Sequence, residues 1–262
     1  MTPTQRVPAV LLAPALLAVA FLVLPLVALF LRAPWSTLPA QLSSPVVGQA
    51  LRLSLLTAGV ATLLCVLLGV PLAWLLARTT FHGRGLLRAL VTVPLVLPPV
   101  VGGVALLLLF GRRGVLGRPL EALTGLTIPF TATAVVLAET FVALPFLVLA
   151  VEGALRGADG RHEELAATLG GGRWHVFRTV TLPLVAPGVA AGAVLCWARA
   201  LGEFGATVTF AGSFPGRTQT MPLAVYLALE TDPEAAIALS LVLLGVSVVV
   251  LASLRQSWTG PR

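Results

Sequence analysis

The sequence predicts an all-α integral membrane protein with six transmembrane helices. Two bulk properties point there first: 58% of the 262 residues are hydrophobic and only 10% charged, and mean hydropathy is +1.00. That balance is far from a soluble domain's. The third observation is spacing. Apolar runs that reach the roughly 20 residues needed to cross a hydrocarbon core recur along the chain, with most charges between them.

The first run, 7–31, is uncharged and closes on Leu31-Arg32. It is too long for the apolar region of a cleavable signal peptide and reads as a retained span. After a proline-containing connection, the second span covers 53–77, and Arg78–Arg88 forms a compact basic loop. The third span, 89–110, carries Pro94, Pro98, Pro99, Gly102 and Gly103. Prolines remove helix hydrogen bonds that lipid cannot replace, so a kink against protein or a wet cavity is expected. That kink is read equally well as a tolerated distortion or as pathway lining. A connection, 111–130, leads to the fourth span, 131–154, interrupted by Glu139 and Pro145. The fifth and sixth spans are 184–210 and 235–254, and Met221–Leu229 between them reads as a short interfacial helix. The chain 1–262 thus reads as one transmembrane domain, without a soluble domain or internal repeat.

All 17 basic residues are arginine, and the net charge is +7. They are scattered between apolar runs, which fits topology and anionic headgroups, not nucleic acid. Six spans place both termini on one side. Termini inside collects Arg6, Arg78, Arg84, Arg88, Arg156, Arg161, Arg173, Arg178, Arg255 and Arg262 there, against Arg32, Arg52, Arg112, Arg113, Arg118 and Arg217 outside. Cytoplasmic termini are therefore expected, in the inner or plasma membrane. Without lysine the chain has no phosphate-binding P-loop. No serine-histidine-carboxylate set or metal-ligand pattern appears; His82, His162 and His175 lie in loops, and Cys65 and Cys196 sit in apolar runs as packing residues.

The most polar passage, within the cytoplasmic loop 155–183, is DGRHEELAATLGGGRWHVFRTVTLP, Asp159 to Pro183. Asp159 and Gly160 offer a helix start, with Glu163 and Glu164 near the positive end of its dipole. Leu165, Ala166 and Leu169 share a face. Gly170, Gly171 and Gly172 stop the helix, since glycine accepts the left-handed exit. A second run carries Trp174, Phe177 and Val180 to Pro183. A plain solvated loop rarely holds this much apolar surface.

Charged groups inside spans are costly and hence functional candidates. Arg199 and Glu203 stand four apart in the fifth span, about 22 and 28 Å along it at 1.5 Å per residue, in the outer half of the membrane. They read either as a mutual ion pair or as a polar mouth continued by Gly205, Thr207 and Thr209. Glu139 is a second candidate, and Glu152 reads as interfacial. A channel or ion-driven carrier fits these features alone; an intramembrane enzyme fits poorly.

The loop resembles a known family. Glu164-Leu165-Ala166, then Gly170, then Val180-Thr181-Leu182-Pro183 is similar to the EAA loop of binding-protein-dependent ABC transporter permeases, with Leu165 and Val180 as conservative departures. The resemblance implies type I importer permease architecture and a homodimer with its pathway at the interface. It also implies two cytoplasmic ATPase subunits and an external oxyanion-binding protein. Glu163, Glu164, Ala166, Ala167, Gly170, Leu182 and Pro183 would form the coupling surface. No cofactor is implied for this chain, ATP being bound by the partner subunit. A second passage, Ala198–Thr207 (ARALGEFGAT) with Phe210-Ala211-Gly212 and Pro215–Thr220 (PGRTQT), resembles the molybdate branch, with sulfate permeases as close relatives. Molybdate or tungstate is the implied cargo, and Arg199, Glu203, Thr207, Thr209 and Glu139 are the pathway candidates.

Overall fold

A computed structural model describes residues 9–258. Val7, Arg6 and Arg262, used above for the first span and for topology, lie outside them. Among the described residues every regular element is helical. The chain divides into two compact units: residues 1–47 with 224–262, and residues 48–223.

In the first unit, α1 (Ala9–Leu31) and α13 (Pro233–Trp258) pack on each other, and the short α2 (Leu38–Leu42) packs on α13. α1 is apolar all round and essentially unburied over its most hydrophobic stretch, as a helix facing hydrocarbon should be. At its end the rings of Phe30 and Trp35 meet edge to face, 4.6 Å apart.

The second unit is built around α7 (Ala132–Gly157), the most enclosed of the membrane-length helices, with 61% of its apolar window buried. α3 (Pro45–Arg78) lies along it, starting eight residues before the expected 53. Arg173–Leu201 forms the other flank: a turn α9 (Arg173–Val176), a wide π turn at Phe177–Thr181, then α10 (Leu182–Leu201). Small residues set the approach to α7. A Cβ at Gly192 would lie 3.0 Å from the Ala150 Cβ, and one at Gly188 would overlap that of Ala154. This glycine pair, four apart, lets two backbones meet where hydrophobicity supplies no drive between helices.

Two expected spans are broken. The third, 89–110, is α4 (Arg84–Val96) and α5 (Pro99–Phe110), bent by 116°. Pro98 holds Leu97 extended (ψ 129°) and Pro99 starts a fresh helix, so two consecutive prolines turn the chain instead of kinking it. Among the described residues five helices are long and apolar enough to span, and six if this pair counts as one span. The fifth span, 184–210, ends at Leu201; Gly202–Phe204 leave the helix and α11 (Gly205–Phe210) restarts it. The breaks face each other. A Cβ at Gly205 would sit 2.8 Å from the Pro99 Cβ, and one at Gly103 would sit 2.7 Å from that of Thr209. Leu106, Ala138, Val142, Ala206 and Phe210 close the core around them. The remaining elements are α6 (Gly117–Thr124), α8 (Arg161–Thr168) and α12 (Met221–Thr231), the last matching the expected short helix.

Gly103→Ala should therefore lower stability by about 1–3 kcal/mol, the range for overpacking a tight core. Thermal unfolding in detergent micelles would register it, and an unchanged midpoint would mean that α5 and α11 part without cost.

Candidate functional site

At the C-terminal end of α7 the chain turns through Ala158 into the loop. Asp159 Oδ1 accepts the Arg161 N–H at 3.0 Å, starting α8, so the start falls where its residues foretold. The two acids of the first turn differ. Glu163 is half-buried and receives Arg78 Nη2 at 3.1 Å, tying α8 to the end of α3. Glu164 is exposed, as are Ala167 and Gly170, while Ala166 is intermediate. Leu165 and Leu169 are exposed apolar side chains, Leu169 at 88%, and Trp174 stands out at 71%. Of the three glycines only Gly170 is left-handed (φ 87°), and it closes the helix with its N–H on the Ala167 carbonyl at 3.0 Å. Gly171 is a close-approach position, where a Cβ would come 2.7 Å from the Ala166 carbonyl oxygen.

Beyond the glycines the second run does not stop before the membrane. Arg173–Leu201 is one 29-residue helix. Its π turn, with the Leu182 N–H on the Phe177 carbonyl, falls just before Pro183. Pro183 cannot donate, and a widened turn gives its ring room. Leu182 is intermediate and Pro183 exposed. Beneath α8, cavities of about 270 and 360 Å³ open between Trp74, Arg173, Phe177 and their neighbours, with Trp174 stacked on Phe177 at 5.6 Å.

Glu152, expected at the interface, is buried and paired. It accepts Arg156 Nη2 at 2.8 Å and also Arg88, pinning α4 to α7. Its sequence distance of 64 residues from Arg88 hid that link.

The second cluster lies toward the opposite end of α7. Glu139, 1% exposed, has Oε1 at 2.9 Å from the Thr57 hydroxyl of α3, while Oε2 has no hydrogen-bond partner among the described residues. Glu203, equally buried, does two things. Oε1 accepts the Ala206 N–H at 2.9 Å, capping α11, and Oε2 meets Arg199 Nη2 at 2.6 Å, off the hydrogen-bonding direction. Glu203 lies within electrostatic reach of Glu139, so Glu139 has neighbours that its sequence position does not reveal. Thr207 is fully buried with its hydroxyl unpaired among the described residues; Thr209 returns its hydroxyl to the Gly205 carbonyl at 2.8 Å. Arg199 retains 27% side-chain exposure. Thr218, Gln219 and Thr220 of the PGRTQT segment are buried, and Ser54 Oγ accepts the Met221 N–H at 2.7 Å, anchoring that loop to α3. In the sequence Ser54 stands in a span without a partner and Thr57 draws no notice, because an isolated hydroxyl carries no signal of what it will meet. Cys65 and Cys196 are buried free thiols, Cys65 against the Thr140 carbonyl at 3.7 Å.

A bundle of membrane-length helices with a protruding helix-turn-helix loop at one end and a buried ionic cluster toward the other defines a polytopic membrane component. Residues 69–262 match the binding-protein-dependent transport system inner membrane component family. The chain belongs to that family, and it is a permease subunit without an ATP site of its own. A molybdenum transport system permease protein of Mycobacterium tuberculosis is 51% identical over 251 residues, 96% of this chain and 95% of that one. A sulfate transport system permease protein of Escherichia coli is 36% identical over 247 residues, covering 92% and 89%. A bacterial ABC transporter that imports the acidic polysaccharide alginate shares the fold, with a TM-score of 0.76 at 16% identity over 97% of this chain and 95% of its own.

Removing Glu203 should be costly, because Arg199 cannot shed its charge and α11 would lose its cap. Glu203→Ala is expected to destabilise by about 3 kcal/mol or more, as for a broken buried pair. Arg199→Met combined with Glu203→Gln should recover most of that loss in detergent thermal melts, whereas strictly additive losses would show the pair to be uncoupled.

Proposed function

We propose that this chain is the permease of an ATP-driven molybdate importer. Two copies would enclose the pathway, two cytoplasmic ATPase subunits would supply the work, and an external oxyanion-binding protein would deliver the cargo. The observation that carries the cargo assignment is the 51% identity to a molybdenum permease across nearly the whole length, against 36% to a sulfate permease. Tungstate, a tetrahedral dianion of the same charge, is expected to share the route.

The coupling reading rests on what the loop presents. Glu163 is occupied holding α8 to Arg78, so it positions the helix. Glu164, Ala166, Ala167 and Gly170, with Leu165, Leu169 and Trp174 around them, offer an apolar, close-approach surface that a cleft on an ATPase would cover. Leu182 and Pro183 mark where the loop becomes span five. Arg78, Arg84, Arg88, Arg156, Arg161, Arg173 and Arg178 belong to this end of the molecule, which supports a cytoplasmic loop and cytoplasmic termini in a six-span layout.

The homodimer draws support from Arg199. Its side chain keeps 27% exposure inside a span, and a charge there faces protein or water, not hydrocarbon. A second copy across a polar pathway supplies both. A dianion loses a large hydration energy on leaving water, so its route must offer donors, dipoles or water throughout, without holding it tightly. In this reading Arg199 and Thr209 line that route, and the buried Thr207, Glu203 and Glu139 frame it. Differential contact of the ATPase with the loop in its two states then shifts the permease between inward and outward forms.

Proteoliposomes carrying the permease with its ATPase and binding protein should take up labelled molybdate only with ATP. Tungstate should compete effectively and sulfate poorly; uptake without the ATPase would replace this reading with a channel or carrier. Gly170→Asp, which forces a side chain onto a left-handed residue and adds charge to the contact surface, should abolish uptake or ATPase co-purification. Normal values for both would exclude the loop as the coupling surface. Arg199→Ala should slow uptake far more than it lowers stability, and unchanged transport would leave Arg199 as the structural partner of Glu203.

A further inference from the structure

We propose that a cavity at the outer end of α7 receives tetrahedral oxyanions ahead of the transmembrane route; this rests on the oxyanion-permease reading above. The cavity, about 640 Å³, lies at the opposite end of α7 from the coupling loop. It is lined by Arg112 after α5, by Thr127, Phe130 and Thr131 before α7, and by Arg217 of the PGRTQT loop. Three separate segments thus bring two guanidinium groups to one hollow, and no carboxylate lines it. Arg112 Nε stands 3.9 Å from Oε1 of Glu121, a loose, solvent-exposed ion pair longer than a hydrogen bond. Arg217 makes no ion pair among the described residues.

The framework of the hollow is held firmly although its cations are exposed. The Phe214 carbonyl accepts the N–H groups of Arg217, Thr218 and Gln219, each at 3.0 Å, and Thr218 Oγ1 accepts the Phe214 N–H at 3.0 Å. The loop presenting Arg217 therefore cannot drift. On the opposite wall Phe130 is the one non-glycine described residue with a positive φ, 63°. Its N–H reaches the Phe210 carbonyl at 3.4 Å, and its ring meets Phe214 edge to face at 6.2 Å. Strain of this kind persists where surroundings impose it, and it concentrates at functional sites. Thr131 spends its hydroxyl within the chain, donating to the Ile128 carbonyl at 2.6 Å and capping Ala134 at 3.3 Å, so the two arginines and the Thr127 hydroxyl are the side-chain donors left for a ligand.

The chemistry fits a dianion. Each guanidinium offers a planar fork for two oxygens of a tetrahedral ion, and an entering dianion competes with Glu121 for Arg112 while Arg217 makes no ion pair among the described residues. The positive end of the 26-residue α7 adds to the same field. Exposed arginines bind weakly because water screens them, which suits an ion that must leave inward. A cation-lined hollow raises the local concentration of an anion by field focusing.

The test uses the complete transporter with ATPase and binding protein in proteoliposomes. It measures labelled molybdate transported per ATP hydrolysed at saturating molybdate-loaded binding protein. In Arg112→Gln/Arg217→Gln this ratio should fall about tenfold, at the lower end of what electrostatic focusing provides. Arg112→Lys/Arg217→Lys should restore most of it, and sedimentation should find the binding protein still docked on both. An unchanged ratio in the glutamine variant overturns the site. Loss of docking also overturns it, assigning the arginines to acidic side chains of the binding protein instead. If the unaltered complex transports no molybdate, the permease reading itself falls; if it transports normally and only the variant result is negative, the cavity alone is refuted.

Discussion

A helix that breaks inside hydrocarbon leaves amides and carbonyls that lipid cannot satisfy, and the second unit is arranged around that constraint. Both of its broken spans, at Leu97–Pro98 and at Gly202–Phe204, are brought together where Gly205 rides on Pro99 and Gly103 on Ala206 and Thr209. Each break is sheltered by the other, and α7 covers the pair. The Glu203 carboxylate takes the Ala206 amide in the first turn of α11, and Arg199 stands beside it at 2.6 Å. Of the two readings weighed at the outset the ion pair is present, and Arg199 keeps part of its side chain exposed beside it. Membrane depth, helix continuity and charge placement follow from one junction.

What could be read in advance was whatever has a local cause. Gly170 is left-handed because a helix exit favours that conformation, and α8 starts at Arg161, just after Asp159, for an equally local reason. Apolar runs marked the spans because hydrocarbon demands them whatever the neighbours. Direction is another matter: a hydropathy run is the same whether the chain goes straight or turns 116° at Pro98. Two adjacent prolines marked the spot, but not whether they would kink the helix or end it. Glu203 hid its break similarly, since a carboxylate three residues before an amide reads as an ordinary helical position.

Long-range pairs were invisible for a different reason. Arg78 with Glu163, Arg88 with Glu152 and Thr57 with Glu139 join residues 64 to 85 apart, and no periodicity carries that information. These pairs also redistribute roles. Glu163 looked interchangeable with Glu164, yet one holds the loop to the bundle and the other faces outward. The PGRTQT segment, noticed only as a resemblance, has three buried polar side chains and serves as scaffolding for the exposed Arg217.

The unbroken helix from Arg173 to Leu201 has a mechanical consequence. At 1.5 Å per residue it is a rod of about 44 Å, with Trp174 at one tip and Arg199 near the other. While the π turn between them is held, a tilt imposed at the loop tip swings the far end sideways instead of being absorbed on the way. The rod's regular hydrogen bonding is interrupted at Pro187 and at the π turn of Phe177–Thr181, where it holds an extra residue per turn. A slip of that turn back to α geometry would rotate everything beyond it by about 100°, the angular step of one helical residue. The same rod could then act as a lever when the turn is locked and as a clutch when it slips.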